Sequence, residues 1–298
     1  MKYRYIVTLI FIIIGFAGCG QKNNGTVFVA TINPVAEIIR EIAGPGIEVI
    51  CLTQPGDSPH TFSPSPSQMI KIESAKAFFY VADNLDSWVA NVTTENKIQL
   101  IKLFPADMVL PFGEENHDHE GHNHSDDGHG HSHDEGIDPH FWTDPLTVKA
   151  LVPQIVEALI NIDPDNSKIY VDNSVKFAAK LDTLDKQVMS ILADVRGKPV
   201  LLFHPSFRYL LKRYGLKYIG SVEPSPGKES SPKFLSEVVA RLQAEGAKAV
   251  FYEPQLPNNP AKAVAEASGA KVYELDPNGG TEGRKTYFEL ILYNAYTL

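Results

Sequence analysis

Apolar residues along the chain fall into two patterns: short uninterrupted runs, and longer stretches in which they recur at spacings of three and four. The first pattern predicts buried strands and the second predicts helices packed on them. In the first half, Val27-Phe28-Val29-Ala30, Val49-Ile50-Cys51, Ala77-Phe78-Phe79-Tyr80-Val81 and Ile98-Gln99-Leu100 read as strands. In the second half the strands are Val200-Leu201-Leu202-Phe203, Tyr218-Ile219-Gly220, Ala249-Val250-Phe251-Tyr252 and Val272-Tyr273-Glu274-Leu275. Strands alternating with helical segments specify an α/β fold, here two Rossmann-like halves with parallel four-stranded sheets. A weak internal repeat agrees, because Phe28 to Pro34 and Leu201 to Pro205 both run strand, short loop, proline, helix.

Residues 166–195 contain no Gly or Pro, and Phe177, Leu181, Leu184, Val188, Ile191 and Val195 follow a helical period. One rigid helix of roughly 45 Å is expected, at 1.5 Å per residue. Asp163-Pro164-Asp165 starts it and Gly197-Lys198-Pro199 stops it. The resulting division is an N-terminal lobe over residues 26–162, a linking helix over 163–197 and a C-terminal lobe over 198–298. A stiff strut between similar lobes favours small tilts over wide hinge closure. The cleft between the lobes is then the natural ligand site.

The N-terminus carries Lys2 and Arg4, an apolar run over residues 6–14, and small residues before Cys19. That anatomy is an export signal over residues 1–18, and the run is too short to be a convincing span. Phe16-Ala17-Gly18-Cys19 resembles a bacterial lipoprotein cleavage box, so Cys19 is the expected acylated residue, with 19–25 as the lipid-anchored linker. The protein is therefore expected outside the cytoplasm, in the periplasm or on the outer face of the membrane. With Cys19 acylated, Cys51 is the remaining thiol, and it reads as a small buried hydrophobe.

Composition sharpens this picture. The 298 residues are 43% hydrophobic and 21% charged, enough for real cores. The net charge is −9, and eight of the acids fall within residues 114–135, a stretch with no Lys or Arg. No basic stripe exists to neutralise phosphates, so a nucleic-acid partner is not expected.

Histidine is the most informative residue. Seven of the ten, His117, His119, His122, His124, His129, His131 and His133, lie in that acidic stretch. With no apolar residue to bury, the stretch is expected to be a mobile loop whose imidazoles and carboxylates chelate borderline-soft divalent ions, Zn2+ above all. The other three each adjoin a proline: Pro59-His60, Pro139-His140 and His204-Pro205. Proline fixes φ and restricts its neighbour, which holds these rings on rigid turns. Together they make the three-nitrogen set zinc prefers, with a fourth position for a carboxylate or water. Asp276 and Glu253, each at the end of a C-terminal-half strand, compete for it; Asp276 is favoured, with Glu253 as a hydrogen-bonding support. Phe62, Phe141, Trp142, Phe203 and Phe207 are candidates to keep water from the ion. Because imidazole binds metal only when neutral, affinity is expected to fall below about pH 6.5.

Six segments, PGDSPHTFSPSPSQ, DPHFWTDP, FHPSFRYLLKRYGL, VEPSPGKESSP, FYEPQ and YELDPNGG, resemble the metal-binding solute-binding lipoproteins of bacterial zinc and manganese ABC transporters. The match covers essentially the whole mature chain in order. It implies two Rossmann-like lobes joined by one long helix, His60, His140 and His204 as ligands, and Asp276 as the carboxylate many members add. It also implies an ABC permease and its ATPase as partners; the chain itself is expected to be a monomer. Manganese carriers of the family have Glu in place of His204 and lack a His-rich loop, so the resemblance favours zinc. Some zinc members place a Glu ligand beside the first His, but here Pro59 and Thr61 flank it, leaving the fourth place open between Asp276 and water.

Two other readings compete. A zinc hydrolase shares the open three-ligand pattern, but no His-Glu-x-x-His helix and no obvious general base accompany the three turns, so an enzyme is not expected. A surface zinc-storage protein or adhesin fits the His-rich stretch, whereas three scattered, proline-fixed histidines ask for one high-affinity site.

Overall fold

The computed structural model describes residues 25–112, 136–224 and 230–298. The first half builds β1 (Val27–Ala30), α1 (Asn33–Ala43), β2 (Glu48–Cys51), α2 (Pro66–Ser74), β3 (Ala77–Tyr80), β4 (Lys97–Gln99) and the short α3 (Leu100–Leu103). Two long helices follow, α4 (Pro145–Ile162) and α5 (Ser167–Ile191). The second half adds β5 (Pro199–Leu202), α6 (Arg208–Tyr214), β6 (Lys217–Ser221), α7 (Pro232–Ala244), β7 (Ala249–Tyr252), α8 (Asn259–Ser268), β8 (Lys271–Glu274) and α9 (Tyr287–Thr297).

All eight expected strands form, in two four-stranded sheets ordered β2-β1-β3-β4 and β6-β5-β7-β8. Every pairing is parallel. The apolar runs explain this: a strand covered on both faces must be apolar throughout, and β3 (Ala77–Tyr80) is buried at every position. In both sheets the order reverses between the first and third strands, which opens a crevice at their C-terminal ends.

The linking helix is shorter than its sequence period suggests. The α-helix covers 25 residues, about 37 Å, and its ends wind into 3-10 turns over Pro164–Asn166 and Ala193–Val195. Terminal N–H and C=O groups have no partner one full turn away, so the end tightens; Val195 N instead donates to Leu192 O at 3.1 Å. The internal repeat is also looser than expected. Pro34 sits in the first turn of α1, whereas Pro205 precedes α6, which starts only at Arg208.

One apolar core runs through both lobes. It takes Phe28 and Phe79 from the first sheet, Leu151 and Ile155 from α4, Phe177 and Leu181 from α5, and Leu202, Leu210 and Ile291 from the second half. Polar ties fix α5 to each side. Lys180 pairs with Glu41 of α1 at 2.8 Å, and Asp185 accepts two bonds from Arg213 and one from Tyr214 of α6. Cys51 is half-buried rather than fully buried, with its thiol 3.4 Å from Thr53 O.

Because Leu181 lies fully inside this shared core, Leu181→Ala should cost about 2–5 kcal/mol of stability. Val175→Ala, on the solvent face of the same helix at 67% exposure, should cost under about 0.5 kcal/mol. Urea unfolding of the metal-free protein followed by circular dichroism measures both.

Candidate metal centre

Three separate loops deliver the three proline-flanked histidines to one point. His60 sits between β2 and α2 on two consecutive tight turns, closed by Asp57 N to Gln54 O at 3.0 Å and Thr61 N to Ser58 O at 3.2 Å. Ser65 then caps α2 in a reciprocal capping box with Gln68, and the Gln68 amide donates back to Leu52 O at 2.7 Å. The loop is thereby pinned at both ends to β2.

His140 is held by Asp138, two residues upstream. One carboxylate oxygen, Oδ1, accepts from the His140 backbone N–H at 3.0 Å and lies 2.8 Å from its Nδ1. That contact fixes the ring's rotation and directs Nε2 away from the acid. Asp138 is itself fully buried, and its carbonyl accepts from Tyr209 OH at 3.1 Å. Arg208 donates to Pro111 O at 2.6 Å and approaches Asp138 Oδ2 at 3.5 Å. The start of α6, in the second half, thus steadies the first-half loop that carries His140.

His204 follows β5 at the point where the order of the second sheet reverses. Phe203 N donates to Phe251 O at 2.6 Å, and Ser206 N donates to His204 O at 2.8 Å. The Ser206 hydroxyl in turn donates to Glu253 Oε1 at 2.5 Å.

The three rings meet at centroid separations of 5.5 Å (His60–His140), 4.9 Å (His60–His204) and 5.1 Å (His140–His204). One nitrogen from each lies within 4.8 Å of the others. Around a tetrahedral zinc, with nitrogens about 2.0–2.1 Å from the ion, the nitrogens stand about 3.3 Å apart, so modest side-chain rotation closes the group. Nε2 of His60 and both ring nitrogens of His204 are buried with no hydrogen-bond partner. Unpaired buried nitrogens carry a desolvation cost, and in each neutral ring the one nitrogen that keeps its lone pair suits a cation.

Burial, reinforced by the neighbouring His140, pushes the His60 imidazole down to about 3. His204 is held well below the ordinary value, first by burial and then by His140 and His60, with the Glu223 backbone opposing. Both rings are therefore neutral at physiological pH without a metal. For these two rings, the expectation that protons compete below about pH 6.5 gives way to burial, which moves that competition to lower pH.

The group of three contains no carboxylate. Asp276 is buried two residues beyond β8. Its Oδ1 accepts from Gln255 Nε2 at 2.7 Å, Asn278 N at 3.0 Å and Gly279 N at 2.9 Å, and its Oδ2 pairs with Arg284 at 3.0 Å. Glu253 connects to the site through Ser206; burial pushes its carboxyl up to about 8, Ser206 opposing and Asp276 and Glu223 adding to the rise. Trp142 lies 5.3 Å from the His140 ring and donates from Nε1 to Pro277 O at 2.8 Å. Phe141, Trp142, Phe203 and Phe207 are buried, while Phe62 is half-buried against Trp88 at 5.8 Å. Cys19 and the seven histidines of residues 114–135 lie outside the described residues.

Asp138 is a supporting residue outside the sequence-predicted set, although an acid two residues before a proline-fixed histidine is a local signal for a ring-orienting partner. Arg208 and Tyr209 are likewise outside it, because their contacts span 97 and 71 residues and leave no local trace; Arg284 reaches Glu274 and Asp276 only through a loop that folds back.

The family model described as zinc-uptake complex component A, periplasmic, matches residues 28–298. The zinc-binding protein AdcA of Streptococcus pyogenes is 30% identical over 282 residues, covering 91% of this chain and 55% of that protein. The chain thus spans about half the length of the AdcA relatives it matches. The high-affinity zinc uptake system protein ZnuA of Brucella abortus is 30% identical over 313 residues, covering 95% of this chain and 94% of that one. Among solved structures, the laminin-binding protein Lmb of Streptococcus agalactiae, described as having adhesin and metal-transporting activity, superposes with a TM-score of 0.74. It is 26% identical, over 91% of this chain and 97% of that chain.

Asp138→Ala should weaken zinc binding about 10–100-fold by freeing the His140 ring, as read by competition against a chromophoric chelator. In the metal-free protein, the ring signal of His60 should not titrate between about pH 8 and 5 by NMR, and that of His204 should titrate well below the ordinary imidazole range. The unfolded chain takes up these protons at about pH 6.5 and the native chain does not. The contribution of these two rings is therefore complete above about 6.5 and is lost as pH falls toward about 3, where His60 titrates.

Proposed function

This chain belongs to the periplasmic zinc-uptake complex component A family, and from that premise we infer that it captures Zn2+ outside the cytoplasm and hands it to an ABC permease driven by its ATPase. The observation that carries this reading is the convergence of His60, His140 and His204 within 4.8 Å, with ring nitrogens of His60 and His204 buried and unpaired. Three imidazoles form a borderline donor set that suits zinc over the hard, oxygen-seeking manganese ion. Asp276 is the fourth ligand in this reading, its Oδ1 oriented by three donors as ligating carboxylates are. Glu253 steadies the His204 turn through Ser206.

A carrier fits the surroundings better than a hydrolase. Three acids tied to the site or its loops are engaged: Glu253 by Ser206, Asp138 by His140, and Asp276 by Gln255, two backbone amides and Arg284. None is presented as a general base. In this reading the seven histidines of residues 114–135 raise the local zinc concentration and pass the ion on by ligand exchange, and acylated Cys19 tethers the carrier as a monomer beside its permease.

Calorimetry on the mature chain should find one tight zinc site that disappears in His204→Ala. Deleting residues 114–135 should remove weak sites and leave the tight one. A deletion strain should fail to grow in chelator-treated medium and recover with added zinc; normal growth there would overturn the uptake role.

A further inference from the structure

The loop from Asp276 to Arg284 folds back on itself. Gly279 and Gly280 both take positive φ, and a Cβ on Gly279 would stand 2.6 Å from Arg284 O. Gly280 N donates to that same carbonyl at 2.9 Å. This turn delivers the Arg284 guanidinium to the acid that began the loop, although the two residues are eight apart in sequence.

The two oxygens of Asp276 are treated differently. Oδ1 accepts three hydrogen bonds, all from groups with no charge. Oδ2 has the 3.0 Å contact with Arg284, made through the guanidinium nitrogen that also bonds Glu274 Oε1 at 2.6 Å. Glu274 is held in turn by Tyr252 OH at 3.1 Å and Tyr293 OH at 3.3 Å. The guanidinium lies 4.3 Å over the Tyr293 ring. Arg284 therefore has a second anion and an aromatic face to rest on if Asp276 leaves it, whereas Asp276, only 2% exposed at its side chain, has no other cation within salt-bridge reach among the described residues.

We propose that Arg284 is a place-holding cation, which neutralises Asp276 Oδ2 in the metal-free protein and exchanges with Zn2+ for that oxygen during loading and release. The proposal rests on Asp276 as the fourth ligand. A buried carboxylate without a cation carries a large desolvation penalty, so without Arg284 a departing ion would strand it. With Arg284 in place, release replaces one cation by another, and the ion pairs between Arg284 and its two acids shift in proportion. Arg284 thus lowers zinc affinity and speeds zinc release, both suited to a carrier that must surrender its cargo.

The direction of this effect separates it from a structural role, since damage to the loop would weaken binding. Zinc affinity by chelator competition and zinc dissociation rate by stopped flow would be compared on the mature chain for Arg284→Gln, Arg284→Lys, Asp276→Asn and the Arg284→Gln/Asp276→Asn pair. Arg284→Gln should tighten binding about tenfold and slow release correspondingly, Arg284→Lys should stay near wild type, and the double variant should match Asp276→Asn alone. Weaker or unchanged binding in Arg284→Gln overturns the proposal. Equal tightening in the Asp276→Asn background also overturns it, by reducing the effect to general repulsion. If Asp276→Asn by itself changes neither zinc affinity nor the absorption spectrum of bound Co2+, Asp276 is not a ligand and the exchange falls with it, a result obtained without touching Arg284. Should Arg284→Gln fail to fold, Glu274→Gln tests the same exchange from the other side: an Arg284 deprived of Glu274 should commit to Asp276 and weaken zinc binding, and unchanged affinity counts against the proposal.

Discussion

Three imidazole rings packed in tilted and T-shaped contact, with ring nitrogens of two of them buried away from water and short of well-placed hydrogen-bond partners, are the constraint around which the rest of this fold is arranged. Left to themselves the rings would turn outward and hydrate, because each unpaired buried nitrogen costs free energy. What prevents this is backbone rather than side-chain freedom. His60 rides on a double turn tied to β2, His140 is clasped by Asp138 at both its backbone and its ring, and His204 extends from a central strand. The long helix and the core running through both lobes then fix the distance between the loops. The site is preorganised by its frame, and the frame is large because the site is unfavourable on its own.

Electrostatics follow from the same burial. Desolvation keeps His60 and His204 neutral while raising the proton affinity of Glu253. Both effects lower the net charge in the interior before any ion arrives, as expected where a charged group would have to stand without a partner. Asp276 differs in its surroundings: three donors crowd Oδ1, and the Arg284 guanidinium stands beside Oδ2.

Most of the scaffold was legible in the sequence because it depends on local regularities. Short apolar runs pointed to strands, and the central ones, such as β3, are covered on both faces; the three proline-adjoined histidines were marked by their identity and their rigid surroundings together. Helix ends were less legible. The linking helix tightens at both termini because of hydrogen-bond supply, which residue pattern does not encode. The supporting contacts were the least legible. Tyr209 meets the Asp138 carbonyl across 71 residues, and Trp142 meets Pro277 across 135. Such partners are chosen by the packing of the lobes, and neither residue differs in its local sequence from an ordinary core aromatic.

Most side-chain contacts between the lobes share one chemical form. Trp142 Nε1 donates to Pro277 O, Arg208 to Pro111 O, Tyr209 OH to Asp138 O, and Asn33 Nδ2 to Asn278 O. In each case a side chain on one half addresses a bare peptide carbonyl on the other. A carbonyl is present whatever residue occupies the position, so the receiving loops can change their side chains without unseating the partner lobe. The alignment is also carried largely by neutral acceptors, which leaves it little affected by ionic strength. The loops that receive these bonds are thus free to diverge in most of their chemistry on a joint that reads largely their backbone.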